Sequence, residues 1–256
     1  MLFSRTVNAE ILKLKRTIAL RMVFLAPLAV VALTGFMASQ APFSTLRTSN
    51  SINIWVSLTR VNLQFWGLLM MPLYITLQSA LIAGVDHAEN QWKALFARPI
   101  PRWTVYVAKL LMLIAMTIMS GAILISGVIL AGVLLPHIAP GVDLRSPIPL
   151  GRMVQPIAEM TGLAFLPLAI QHWVSLRWRS FSVAVGFGIV ATVTTFAMLM
   201  AAGQYGAWPQ YYPWALPLLV VSRHQQNITA ALLLSITVGL AASVAGCLDF
   251  CRREIA

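Results

Sequence analysis

The sequence predicts an all-α integral membrane protein with six transmembrane helices. Residues of the AVILMFWYC set make up 59% of its 256 positions and charged residues only 10%, where soluble chains carry about 25% charge. So little charge cannot cover a globular surface in water, which excludes a cytosolic enzyme or a disordered chain. Cys247 and Cys251 are the only cysteines and allow at most one bridge, which excludes a disulfide scaffold. Six apolar runs reach the roughly 20 residues that a helix needs to cross a bilayer.

Residues 1–16 open the chain. Phe3, Val7, Ile11 and Leu14 fall on one helical face, with Arg5, Glu10, Lys13 and Arg16 elsewhere around it. This pattern predicts an amphipathic helix resting in the membrane interface, in which Glu10 and Lys13 can pair. Thr17–Met37 is the first span; its apolar stretch is longer than a signal-peptide core, so it is expected to be retained.

Val61–Ala83 is the second span, and the segment 86–98 follows it. Asp86 and Glu89 resemble a capping box, Trp92, Leu95 and Phe96 form an i, i+3, i+4 ridge, and Pro99 with Pro101 ends the pattern. A short amphipathic helix parallel to the membrane is expected there, suited to a partner's groove or to lipid.

Val105–Leu135, the third span, is overlong and should tilt or project. Val154–Val174, the fourth, is interrupted by Glu159, Gln171 and His172. Phe181–Ala201 is the fifth and Ile228–Phe250 the sixth. Between these last two, segment 204–226 is apolar and aromatic but broken by Pro209, Pro213 and Pro217, which predicts an external re-entrant or interfacial cap. No repeat or linker divides residues 1–256, so a single membrane domain is expected.

Basic residues set the direction. Segments 1–16, 84–104, 175–180 and 251–256 carry eleven Lys and Arg, while the alternate loops carry five. The positive-inside rule then places both termini in the cytoplasm. Arg21 and Lys109 fall inside spans near their cytoplasmic ends, where long side chains can snorkel. Short basic clusters between apolar runs mark membrane orientation, so no nucleic-acid partner is expected.

Chemistry-bearing groups are sparse. Glu159 is the one carboxylate well inside a predicted span, and burying it at the bilayer centre costs about 2.5–3.5 kcal/mol, so it should face the bundle or a wet cavity. It is read first as a hydrogen-bonded structural residue and second as a substrate-path contact. His172, close to Trp173 and Trp178, reads as interfacial. No His spacing suits a metal, and no serine has a convincing base partner. Pro72 and Pro167 should kink spans two and four, and Gly121, Gly127, Gly132 and Gly246 permit close helix approach.

Two stretches carry a family resemblance: Ala9-Glu-Ile-Leu-Lys-Leu-Lys-Arg-Thr17, and Asn90-Gln-Trp-Lys-Ala-Leu-Phe-Ala-Arg-Pro-Ile-Pro-Arg-Trp-Thr-Val-Tyr-Val-Ala-Lys109. With the six-span layout they resemble the type-2 ATP-binding-cassette (ABC) permeases, nearest the lantibiotic-immunity and peptide-antibiotic-resistance branch. The resemblance implies a bacterial cytoplasmic (inner) membrane location and an ATP-driven exporter. Two permease chains, alike or different, would pair with two separate ATPase chains. Segment 86–98 would be the coupling helix, with Asp86, Glu89, Trp92, Lys93 and Phe96 as ATPase contacts and Glu10, Lys13 and Arg16 on the adjacent connecting helix. ATP and Mg would be bound by the partner, because no Gly-x-x-x-x-Gly-Lys-Ser/Thr stretch occurs in this chain. Other readings are a nucleotide-independent channel or secondary carrier, or a permease for lipid, polysaccharide or cofactor-assembly cargo.

Overall fold

A computed structural model describes residues 2–15, 17–40, 51–88, 101–138, 147–205, 211–222 and 227–252. Among these the chain is helical without strands. The elements are α1 (Leu2–Leu14), α2 (Ile18–Gln40), α3 (Ser51–Phe65), a π turn (Trp66–Met70), α4 (Met71–Ala88), α5 (Arg102–Ile138), α6 (Leu150–Leu163), α7 (Phe165–Arg177), α8 (Phe181–Tyr205), a 3-10 turn (Pro213–Val220) and α9 (Ile228–Arg252).

Six segments are long and apolar enough to cross a membrane: Ile18–Met37, Ile54–Val85, Arg102–His137, Leu150–Arg177, Phe181–Ala201 and Ile228–Arg252. They match the six expected runs, and the overlong third is α5, at 37 residues. Leu130, Val133, Val190, Val193, Leu233 and Val244 lie exposed on their outer faces. Lipid tails can cover such surfaces where water cannot.

Both expected kinks are breaks in hydrogen bonding. In span two the backbone widens into the π turn just before Pro72. Proline has no N–H, and its ring crowds the carbonyl four residues back, so a widened turn relieves the clash. In span four the helix breaks at Ala164, three residues before Pro167. That break strands the Leu163 carbonyl and the Leu166 N–H. Ser235 on α9 repairs both: its hydroxyl donates to Leu163 O at 2.9 Å and accepts from Leu166 N at 3.2 Å.

Small residues set the closest helix approaches. The buried face of α9 is Ser235, Gly239, Ser243, Gly246 and Phe250. A Cβ at Gly246 would strike the Tyr106 hydroxyl and the Trp173 ring, and one at Gly132 would strike the Trp55 ring. Side chains also bond backbones across helices. Tyr74 Oη donates to Met116 O, Gln78 Nε2 to Ala19 O and Gln171 Nε2 to Ala184 O. In lipid such bonds and close packing replace the hydrophobic drive that water supplies.

The proline-broken stretch after α8 forms the 3-10 turn, as three prolines require something other than a regular span. Trp214, Leu216, Leu218 and Leu219 are buried within it. Trp214 meets Phe187 edge-on, and Tyr212 Oη donates to Ala191 O. Burial pushes the Tyr212 phenol above its usual range, partly offset by the Thr194 hydroxyl.

Candidate functional site

The base of the bundle is where α1, the start of α5 and the ends of α4, α7 and α9 meet. Arg102 at the start of α5 donates to Cys251 O near the end of α9. Phe3 of α1 stacks on Trp103 of α5 at 6.3 Å between ring centroids.

A buried charge cluster lies at this base. Lys109 Nζ is 2.7 Å from Glu10 Oε2, and Lys13 Nζ is 2.9 Å from Glu10 Oε1. Lys109 is 1% exposed and Glu10 4%. The ammonium also points at Ile82 O, 3.4 Å away on α4. One carboxylate therefore ties α1 to α5, next to the last turns of α4. The Glu10–Lys13 pairing matches its i, i+3 spacing. The Glu10–Lys109 pairing has no local signature, and it corrects the expectation that Lys109 snorkels: its head is buried and bonded to another helix.

The face that α1 turns to the bundle is Thr6, Glu10 and Leu14, all buried, while Ile11 and Leu12 are exposed. The helix thus docks on α5 along a partly polar seam. Its apolar Phe3–Val7–Ile11 edge is only partly covered.

His172 is enclosed by the bundle, 1% exposed. Its ring packs on Tyr106 at 4.7 Å, and Nε2 lies 3.3 Å from Tyr106 O. A carbonyl only accepts, so that bond places the proton on Nε2. Trp173 Nε1 donates to Asp249 Oδ2 at 3.1 Å, and Arg177 bonds the other oxygen at 3.3 Å. Cys247 and Cys251, one turn apart on α9, are free thiols.

Asp86 lies in the last turn of α4, which continues to Ala88. Glu89, Trp92, Lys93, Phe96 and Arg16 lie outside the described residues, and with them residues 89–98 of the expected coupling helix. That segment joins the end of α4, whose Ile82 O faces Lys109 Nζ, to the start of α5, the helix that carries Lys109.

Glu159 sits elsewhere. The buried face of α6 is Met153, Ile157, Met160 and Leu163. Glu159 projects from another side, half-buried, and its Oε1 accepts from Gln155 Nε2 at 2.8 Å. A cavity of about 650 Å³ runs between α5, α6, α7 and α9, lined by Thr117, Gly121, Ala158, Thr161 and Leu240 among others, but not by Glu159. Thr117 and Thr161 both bond carbonyls of their own helices, so the lining is apolar.

The family description "ABC-2 family transporter protein" matches residues 6–195. The chain belongs to that family. It is therefore the permease subunit of an ABC transporter, a transport subunit whose ATP hydrolysis resides in a separate chain, and members of the family are generally paired with an ABC ATPase. The matched range begins within α1 and takes in the base apart from the first residues of α1 and the end of α9. No curated protein and no solved structure matches the chain.

Proposed function

We propose that this ABC-2 permease exports an amphipathic or peptide-like substrate, as the lantibiotic-immunity branch does. It would lie in the bacterial cytoplasmic membrane with both termini inside, working with a second permease chain and two ATPase chains. The base is then the cytoplasmic end, and segment 86–98 seats in a groove of the ATPase through Asp86, Glu89, Trp92, Lys93 and Phe96. Glu10, Lys13 and Arg16 belong to the connecting helix beside it.

The observation that carries this reading is the Glu10–Lys109 ion pair. An ATPase pushing on segment 86–98 moves the two helices that flank it. Because Glu10 holds α1 to α5, that push shifts α1 and α5 together rather than bending a loose loop. Separating a buried pair leaves an uncompensated charge, worth about 3–5 kcal/mol, so the joint resists the load.

Affinity isolation of the permease in mild detergent tests this. The reading expects an ATPase to co-purify with the native chain and to be lost from the W92A/F96A variant while the bundle stays inserted. A native chain that isolates without any ATPase, or a variant that keeps it, contradicts the assignment.

A further inference from the structure

At the base of the bundle a crevice of about 330 Å³ opens between the ends of α7 and α9, lined by Ile170, Trp173, Val174, Arg177, Trp178 and Asp249. The first four occupy i, i+3, i+4 and i+7 of α7, so they form one stripe running to the end of the helix. Along it an apolar stretch of Ile170, Trp173 and Val174 gives way to the Arg177 guanidinium over roughly 10 Å, at 1.5 Å of rise per residue. One leaflet of a membrane shows the same order from acyl chain to phosphate.

The mouth is basic. Arg177 and Trp178 are exposed where α7 ends, and Arg179 is exposed two residues on. Arg252, also exposed, lies on α9 one turn past Asp249. Among the described residues, Arg177, Arg179 and Arg252 thus lie on these two helix ends or just past them, and Asp249 bonds Trp173 and Arg177 and braces the two walls.

We propose that this crevice binds an anionic phospholipid of the leaflet at the base. The phosphate lies at Arg177 flanked by Arg179 and Arg252, and an acyl chain lies along Ile170 and Val174. Basic pockets between membrane helices recognise such headgroups by charge, and guanidinium groups match phosphate oxygens in pairs. A zwitterionic lipid brings no net charge to answer the arginine excess. A free phosphate leaves the apolar wall uncovered. The site does not depend on the substrate or on the direction of transport.

Thermal unfolding of the purified permease decides the matter, comparing phosphatidylglycerol, phosphatidylcholine and inorganic phosphate as additives. A lipid bound only to the folded state raises Tm. Phosphatidylglycerol should raise Tm by several degrees over phosphatidylcholine, and inorganic phosphate should leave it unchanged. R179Q/R252Q removes only exposed charge and should lose most of that gain; I170W, which fills the crevice, should lose it too. If I170W does not fold, the arginine variant decides alone. Equal gains in native chain and variants, or a gain from phosphate by itself, overturn the proposal. So does native mass spectrometry in which R179Q/R252Q keeps the lipid but sheds a protein partner, because the basic mouth would then be a protein contact.

Discussion

Lys109 and Glu10, ninety-nine residues apart in the chain, bring Nζ and Oε2 to 2.7 Å in a setting almost closed to solvent. The bond fastens the first helix of the permease to its longest one. A hydrogen bond from Lys13 to the second carboxylate oxygen leaves neither oxygen bare.

E10Q strands the buried Lys109 ammonium and should lower unfolding stability by about 3–5 kcal/mol. K109M should cost less, because Glu10 keeps its bond from Lys13. E10Q/K109M should fall well short of the sum, since neither buried charge is then left alone. Denaturation in detergent across the double-mutant cycle measures the coupling. Additive losses would mean that the two residues do not act as a pair.

Ser235 bridges the break in span four. S235A removes the hydroxyl that meets Leu163 O and Leu166 N, so a loss of about 1–3 kcal/mol is expected from two buried groups left unmet. S235T, which keeps the hydroxyl, should recover part of it. Thermal shifts of the two variants provide the check.

The α9 seam tolerates no side chain at Gly246. G246V should destabilise by about 1–3 kcal/mol through overpacking against Tyr106 and Trp173. Adding Y106F should return a portion of the loss, because the hydroxyl is the first atom that a Cβ meets.

Glu159 is half-buried and bonded to Gln155 on its own helix. E159Q should therefore change stability by under about 0.5 kcal/mol, the usual range for a surface position. A loss of several kcal/mol would place this carboxylate in a buried network instead.

The fold was largely legible because membrane spans are written locally. Twenty apolar residues declare themselves without reference to the rest of the chain, and prolines 72 and 167 announced where two of the helices break. Span two starts earlier than its hydropathy suggested because α3 carries Arg60, Asn62 and Gln64 among its apolar residues. What the sequence concealed was pairing at a distance. Lys109 in an apolar run reads equally well as a snorkelling side chain, and only the packing of α1 on α5 supplies its carboxylate. Ser235 likewise looks like one more small residue on α9 until the Pro167 break is seen opposite it. His172 reads as interfacial by residue type, and nothing local announces that neighbouring helices enclose it.

The most direct test of the central claim places a photoreactive maleimide on W92C, in a C247S/C251S background, and illuminates native membranes. The account expects an adduct with an ATPase subunit, strengthened or weakened by MgATP. Adducts confined to lipid or to the permease itself would contradict it.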